Sequence, residues 1–311
     1  MGFLDEASDL LGKGMNAAKD MVTEGAVVAK GAVAGMAVEQ RPFMKAFVRM
    51  CSDGWAQGWN ERNGGNASYR MTVEEAAACK PYFYDTPSSW VPLKTAVPQL
   101  GGAFFACTAA GSFMRNLAGD VAGNMGIVEL SEAGDSWRVV WGFKDGGRPT
   151  SELEAHLACH RVRMEVTYGV SRVVYHAHPA HTVALSLLLP ATPRALSKAL
   201  WCAMTECAMV FPEGVGAVDV MVPGGEALAQ ATAREAERHG AVVWAGHGLL
   251  VTGATFDEAF GLMHTIEKAA QIRLLARAAD GGSAQFDTQV SDDTLRAIAA
   301  SVGKTLDESL L

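Results

Sequence analysis

Arg172-Val-Val-Tyr-His-Ala-His-Pro-Ala-His181 is the stretch on which the fold turns. It follows a turn and is rich in β-branched and aromatic residues, so it reads as a strand. Side chains two apart on a strand point to the same face, so His176 and His178 can share one ion. A second apolar, strand-like run, Ala241-Val-Val-Trp-Ala-Gly-His-Gly-Leu-Leu-Val251, carries His247 between two glycines. Three neutral imidazoles around one divalent ion leave a coordination position open, as a catalytic zinc site requires. A carboxylate nearby that is not a ligand would complete a metal-assisted acid/base site, and Glu152 in Pro149-Thr-Ser-Glu-Leu153 is the candidate.

Outward from these runs, strands and helices alternate. A helix is expected over Pro42–Trp59, then a turn Arg62-Asn-Gly-Gly-Asn66 and a strand Ala67–Met71. Phe104–Cys107 reads as a strand, and Gly126–Leu130 with Trp137–Trp141 as a hairpin. A helix opens at Pro149-Thr-Ser-Glu152, where proline, hydroxyls and a carboxylate suit a helix start. The strand and helix pattern continues to a long helix, Asp257–Ala278, and a short tail helix, Ser291–Ser301. Strands interleaved with helices mean a layered α/β domain. The expected division is an extension over residues 1–38, a catalytic domain over 39–285 and a tail helix over 286–311. In the extension, Leu4, Ala7, Leu11, Met15, Ala18 and Val22 form an apolar helical stripe, followed by a small-residue run, Gly25–Val38. It reads either as a helix packed on its own domain or as a docking helix for a partner.

Composition excludes several classes. Apolar residues make up 49% and charged residues 19% of 311, as in ordinary globular proteins. A net charge of −8 argues against general nucleic-acid binding but leaves a small anionic substrate open. The six cysteines form no CxxC pair and read as reduced, mostly buried thiols of a cytoplasmic protein. No apolar run reaches eighteen residues, so no transmembrane helix is expected. Neither a Walker loop nor a dinucleotide fingerprint occurs, which argues against a nucleotide cofactor. No Gly-x-Ser-x-Gly supports a serine triad.

The residues alone leave alternatives. A His-x-His strand can be structural, and Glu152 can be a plain helix-start carboxylate stabilised by the dipole. Asn63-Gly64-Gly65-Asn66 can be only a turn or can point N–H groups and amides at an anion. Thr108-Ala-Ala-Gly-Ser112, a small-residue loop after a strand, could cradle a phosphate by its backbone. Glu206 lies in the apolar stretch 200–211, where a carboxylate is expensive unless paired or functional.

Taken in order, these motifs resemble the class II aldolase/adducin-type family. The matching segments are Gly58-Trp-Asn-Glu-Arg-Asn-Gly-Gly-Asn66, Phe113-Met-Arg-Asn116, Pro149-Thr-Ser-Glu-Leu153 with Ala155-His156, and Arg172 to His178. They continue with Thr205-Glu206-Cys207, Phe211-Pro212, Gly214-Val-Gly216, Met221-Val-Pro-Gly224, His247-Gly248, Phe260-Gly-Leu262 and Glu267-Lys268. The resemblance implies a single layered αβα domain, a central, largely antiparallel sheet flanked by helices. It also implies one Zn2+ per subunit on His176, His178 and His247, with Glu152 as general base. Glu206 would come from a neighbouring subunit of a homotetramer whose sites lie between subunits. Asn63, Gly64, Asn66, Thr150 and Ser151 would line the phosphate and zinc end of the pocket.

The implied reaction is reversible cleavage of a sugar phosphate to dihydroxyacetone phosphate and an aldehyde through a metal-stabilised enediolate. The Thr-Ser-Glu and Asn-Gly-Gly-Asn segments favour L-rhamnulose 1-phosphate, giving L-lactaldehyde. L-fuculose 1-phosphate cleavage, pentose-phosphate 4-epimerisation and an adducin-like assembly role are the alternatives. One departure matters. Where the family has a Gly-Ser-Gly-Lys-like loop, this chain has Ala109-Ala110-Gly111-Ser112. A missing hydroxyl at Ala110 removes a hydrogen bond worth roughly 1.5–3 kcal/mol. A weaker phosphate grip is expected, with backbone N–H groups and the two asparagines left to hold the anion. Residues 1–38 resemble the short amphipathic peptides that route enzymes to bacterial microcompartment shells, which makes a shell the expected partner.

Overall fold

One nine-stranded sheet organises the residues that the computed structural model describes, 36–282 and 290–311. Nearly all of the expected extension 1–38, and the boundary placed at 285, lie outside the described residues. Val38, the last residue of that extension, is fully buried in the main core. The strands are β1 (Asn66–Arg70), β2 (Val91–Pro92), β3 (Phe104–Thr108), β4 (Met125–Leu130), β5 (Ser136–Gly142), β6 (Val173–Ala177), β7 (Gly216–Val218), β8 (Ala241–Trp244) and β9 (Gly248–Gly253). Their spatial order is β2-β5-β4-β3-β1-β6-β9-β8-β7. Only β7 and β8 run parallel; the other neighbours are antiparallel, as the expected sheet requires.

Helices cover both faces. They are α1 (Pro42–Ala56), α2 (Val73–Cys79), α3 (Val121–Asn124), α4 (Leu153–Val166), α5 (Ala180–Leu188), α6 (Pro193–Trp201), α7 (Glu206–Val210), α8 (Glu226–Ala236), α9 (Phe256–Ala279) and α10 (Asp292–Ser301). β6 shows why two layers form. Val173, Tyr175 and Ala177 join the core with Phe47 of α1 and Met263 of α9. Val174 turns the other way, into a cluster with Val162 of α4 and Leu228 of α8. Every residue of β6 is buried, so its sequence is continuously apolar apart from the histidine. Period-two alternation then puts His176 on the α4/α8 side.

Local chemistry sets the helix starts. Pro42 occupies the first turn of α1. Thr72 and Glu75 form a reciprocal capping box on α2. Thr255 caps α9, and Ser291 caps α10 as its sequence suggests. α1 ends at Ala56 rather than Trp59, and Trp59 is buried with its carbonyl accepting the His178 N–H at 2.8 Å.

The run 241–251, read above as one strand, is a hairpin instead. Gly246 adopts φ 65° and the His247 N–H donates to the Trp244 carbonyl at 3.0 Å, so the chain reverses. His247 thereby sits in the turn between β8 and β9, not on a strand. Gly248 is required next to it: a Cβ there would meet the Ala177 carbonyl at 2.5 Å and the His176 ring at 2.9 Å. All six cysteines are free, and burial raises the thiol pKa of Cys51, Cys107 and Cys159. Among the described residues no helix is long and apolar enough to cross a membrane.

Candidate active site

The end of β6 and the β8–β9 turn bring three imidazoles together. Register pairs His176 with Asn66 on one side and Leu250 on the other, which sets the β8–β9 turn beside it. Ring centroids of His176, His178 and His247 lie 5.0–5.1 Å apart, and one nitrogen from each falls within 4.8 Å of the others. His176 Nδ1 lies 3.2 Å from the Leu249 carbonyl, which can only accept, so its proton is there and Nε2 keeps its lone pair. His178 Nδ1 lies 2.8 Å from Oε1 of Glu61, which fixes its tautomer the same way.

The two Nε2 atoms are 3.2 Å apart. With both protons on Nδ1, that contact is two lone pairs facing each other and needs a cation between them. Two nitrogens each about 2.0–2.1 Å from a tetrahedral zinc sit about 3.3 Å apart, so the donor set fits the ion. Burial, reinforced by the neighbouring imidazoles, holds the His176 pKa well below its ordinary value and lowers that of His247, leaving both neutral and ready to coordinate. Trp244 packs on His176 with centroids 4.2 Å apart and limits ring rotation.

Glu152 borders the same space. It occupies the N-cap position of α4, yet its side chain makes no capping hydrogen bond. Its Oε2 instead accepts from Asn66 Nδ2 at 2.9 Å. Burial pushes its carboxyl above the ordinary carboxylate range, opposed by the Asn66 hydrogen bond and by His178. A carboxyl shifted this way, beside a trio of ligand nitrogens and outside it, is suited to proton transfer.

Asn63, Gly64, Asn66, Thr150, Ser151 and Glu152 line one cavity of about 160 Å³ together with His176, His178, His247 and residues 109–111. Among the described residues, no arginine or lysine lines it. Thr150 is nearly buried, and its hydroxyl accepts the Glu152 N–H at 3.2 Å, fixing the turn that presents Glu152. Ser151 and Glu152 also wall a larger cavity of about 320 Å³ between residues 93–97, α4 and α8.

The small-residue loop is less generous than expected. Its Ala109, Ala110 and Ser112 N–H groups donate to the carbonyls of Asn124, Arg148 and Ala109. That leaves Gly111 N–H as the loop's unengaged backbone donor, so a backbone phosphate cradle at 108–112 is largely spent on the fold.

Glu206 lies apart from these residues. It is exposed in the first turn of α7, with its Oε2 accepting from the Thr205 hydroxyl at 3.2 Å. The apolar stretch 200–211 does not enclose this carboxylate: Cys207 and Ala208 turn inward and Glu206 is exposed to solvent. Sequence reasoning also passed over Glu61 and the buried polar groups behind Glu152. Spacing gave no signal for these, because their partners lie 86–117 residues away.

Comparisons follow the same lines. Residues 45–274 match the family model for the Class II Aldolase and Adducin N-terminal domain. A rhamnulose-1-phosphate aldolase of Pectobacterium carotovorum is 39% identical over 247 residues, 79% of this chain and 90% of the relative. That of Mannheimia succiniciproducens is 38% identical over 263 residues, 85% and 95% of the two chains. Among solved structures, a sugar-phosphate aldolase from Thermotoga maritima superposes with a TM-score of 0.61 at 24% identity, covering 77% of this chain and 95% of its own. L-Fuculose-1-phosphate aldolase from Thermus thermophilus gives 0.51 at 23% identity, covering 78% and 97%. These two likenesses speak to the fold.

Proposed function

The chain belongs to the class II aldolase and adducin family, and from that premise we propose that it reversibly cleaves L-rhamnulose 1-phosphate to dihydroxyacetone phosphate and L-lactaldehyde. One observation carries the reading: three imidazole nitrogens converge within 4.8 Å beside a half-buried carboxyl that is not one of them. His176, His178 and His247 would hold Zn2+, which when bound supplies Lewis acidity toward the ketose oxygens. Glu152 takes the proton from the nucleophilic carbon of dihydroxyacetone phosphate in the aldol direction and returns it in cleavage. Asn66 holds that carboxylate in place. Asn63, Gly64, Thr150 and Ser151 receive the phosphate end, with Gly111 N–H as a further donor. Lacking a cationic side chain, the pocket grips the phosphate by neutral donors alone.

Glu206 acts in a homotetramer, supplied to a neighbouring subunit's site near the aldehyde oxygen; its solvent exposure in the isolated chain suits that role. The extension docks on a microcompartment shell. Removing residues 1–35 should leave cleavage intact and abolish recovery with shells; because Val38 is core, the cut stops short of it. The reaction is tested by retro-aldol assay on L-rhamnulose, L-fuculose and other 1-phosphoketoses, with and without chelator, alongside zinc analysis of the purified protein. Chelator-sensitive cleavage fastest on L-rhamnulose 1-phosphate is expected. Cleavage that survives complete metal removal would refute the metal-dependent reading.

A further inference from the structure

Two buried histidines have no part in the chemistry above. His156 and His160, on α4, are 0% and 1% exposed. Neither belongs to the metal-competent trio, which among the described residues is the only such group. What they do follows from the atoms between them and Glu152. Ser68 Oγ, on β1, lies 2.7 Å from His156 Nδ1 and 2.8 Å from His160 Nε2. His156 Nε2 lies 2.5 Å from Asn66 Oδ1, and Asn66 Nδ2 lies 2.9 Å from Glu152 Oε2.

The polarity of this chain can be worked out from its end. An ionised carboxylate only accepts, so Asn66 must present its NH2 to Glu152 and its carbonyl oxygen to His156. That oxygen also only accepts, so the His156 proton is on Nε2 and Nδ1 accepts from the Ser68 hydroxyl. The Ser68 oxygen then receives the His160 Nε2–H. Every donor meets one acceptor, from His160 inward to Glu152. A reversed chain would set two acceptors against each other at Asn66 or at Glu152.

We propose that His156, through Asn66, is a positioning residue for the general base. The relay locks Oε2 of Glu152 as a permanent acceptor and so assigns the proton transfer to Oε1, which makes no hydrogen bond among the described residues. In the aldol direction the substrate C–H bond breaks, its electron pair stays on the substrate, and the new O–H bond forms at Oε1. Both histidines are neutral in the fold: burial pushes His156 down to about 3, and burial, first of all, takes His160 well below its ordinary value, with Arg70 adding to it. Neutrality is what a one-proton-per-ring relay requires. This inference rests on Glu152 being the base.

The test compares two isosteric replacements. Glutamine places its amide where Nε2 sits and keeps the donor to Asn66; asparagine reaches only the Nδ1 position and loses it. His156→Asn should lower kcat about tenfold or more, with KM and zinc content within about twofold of wild type, while His156→Gln recovers most of the rate. Equal kcat for the two variants would overturn the proposal. Should either fail to fold, Ser68→Ala decides: a several-fold loss of kcat at unchanged KM and zinc supports the relay, and an unchanged kcat refutes it. Nitrogen-15 NMR of histidine-labelled zinc protein reads the same geometry without any substrate. The Nε2–H tautomer is expected at His156 and His160, and an Nδ1–H His156 would sink the relay. Absence of cleavage by wild type would count against the reaction assigned above and leave the NMR result to judge the relay.

Discussion

His176 at the end of β6 and His178 just past it, two apart, and His156 and His160, four apart on α4, are histidine pairs with opposite fates. Both pairs contain a fully buried ring. In the first, backbone and Glu61 take the Nδ1 protons, so bare nitrogens converge on a cavity. In the second, one hydroxyl sits between the rings and takes up a nitrogen of each. The lesson is that spacing brings imidazoles together, but the partner of the other nitrogen decides whether they bind an ion or relay a hydrogen bond.

The contrast can be broken at its strongest point by His176→Ala. Two nitrogens should remain, and stoichiometric zinc and cleavage should both disappear, read by metal analysis and assay. Next comes Glu152→Gln, expected to cut kcat by about 10²–10⁴-fold while the protein keeps its zinc. A variant that lost zinc would place Glu152 among the ligands. Glu61→Gln should weaken zinc binding by about 10–100-fold in chelator competition, because a neutral amide oxygen accepts the His178 Nδ1–H less strongly than the carboxylate and no longer raises the basicity of the ring.

The smallest effect belongs to the relay pair and is read as stability. A histidine held neutral in the fold stays unprotonated while the unfolded chain takes up its proton below about pH 6.5. The contribution is therefore intact above that pH and is lost as pH falls toward about 3, the folded value for His156. Between pH 6.5 and 5 wild type should lose about 2 kcal/mol more than His156→Gln, measured by urea unfolding. Equal losses would show that His156 is already charged in the fold.

The layered sheet was legible because β-branched runs and helix-start residues are local signals. The trio of histidines is legible as residue types, and strand period places His176; the strand ends at Ala177, so His178 lies in the segment after it. His247 was assigned to a strand because Trp244 to Leu249 is apolar on both sides of it, and apolarity alone does not mark a reversal. Gly246 at positive φ does, and a glycine's φ is not visible in the sequence. The exposure of Glu206 is hidden from the sequence for a related reason: helical phase, not neighbouring composition, decides which side chain meets water. The loop at 109–112 looked free because a sequence shows which N–H groups exist but not which carbonyls claim them. Glu61 and Ser68 depend on contacts that only the folded sheet creates.

The pairing of β6 with β9 carries one more consequence. His176 faces Leu250 and Ala177 faces Leu249 across it, while His247 lies just before Gly248, the first residue of β9. A slip of one residue would turn the partnered side chains to opposite faces, and His176 on β6 would no longer meet His247, seventy-one positions later in the chain. Convergence of the three imidazoles thereby reads out the register: only a molecule zipped in this frame brings their nitrogens within 4.8 Å of one another.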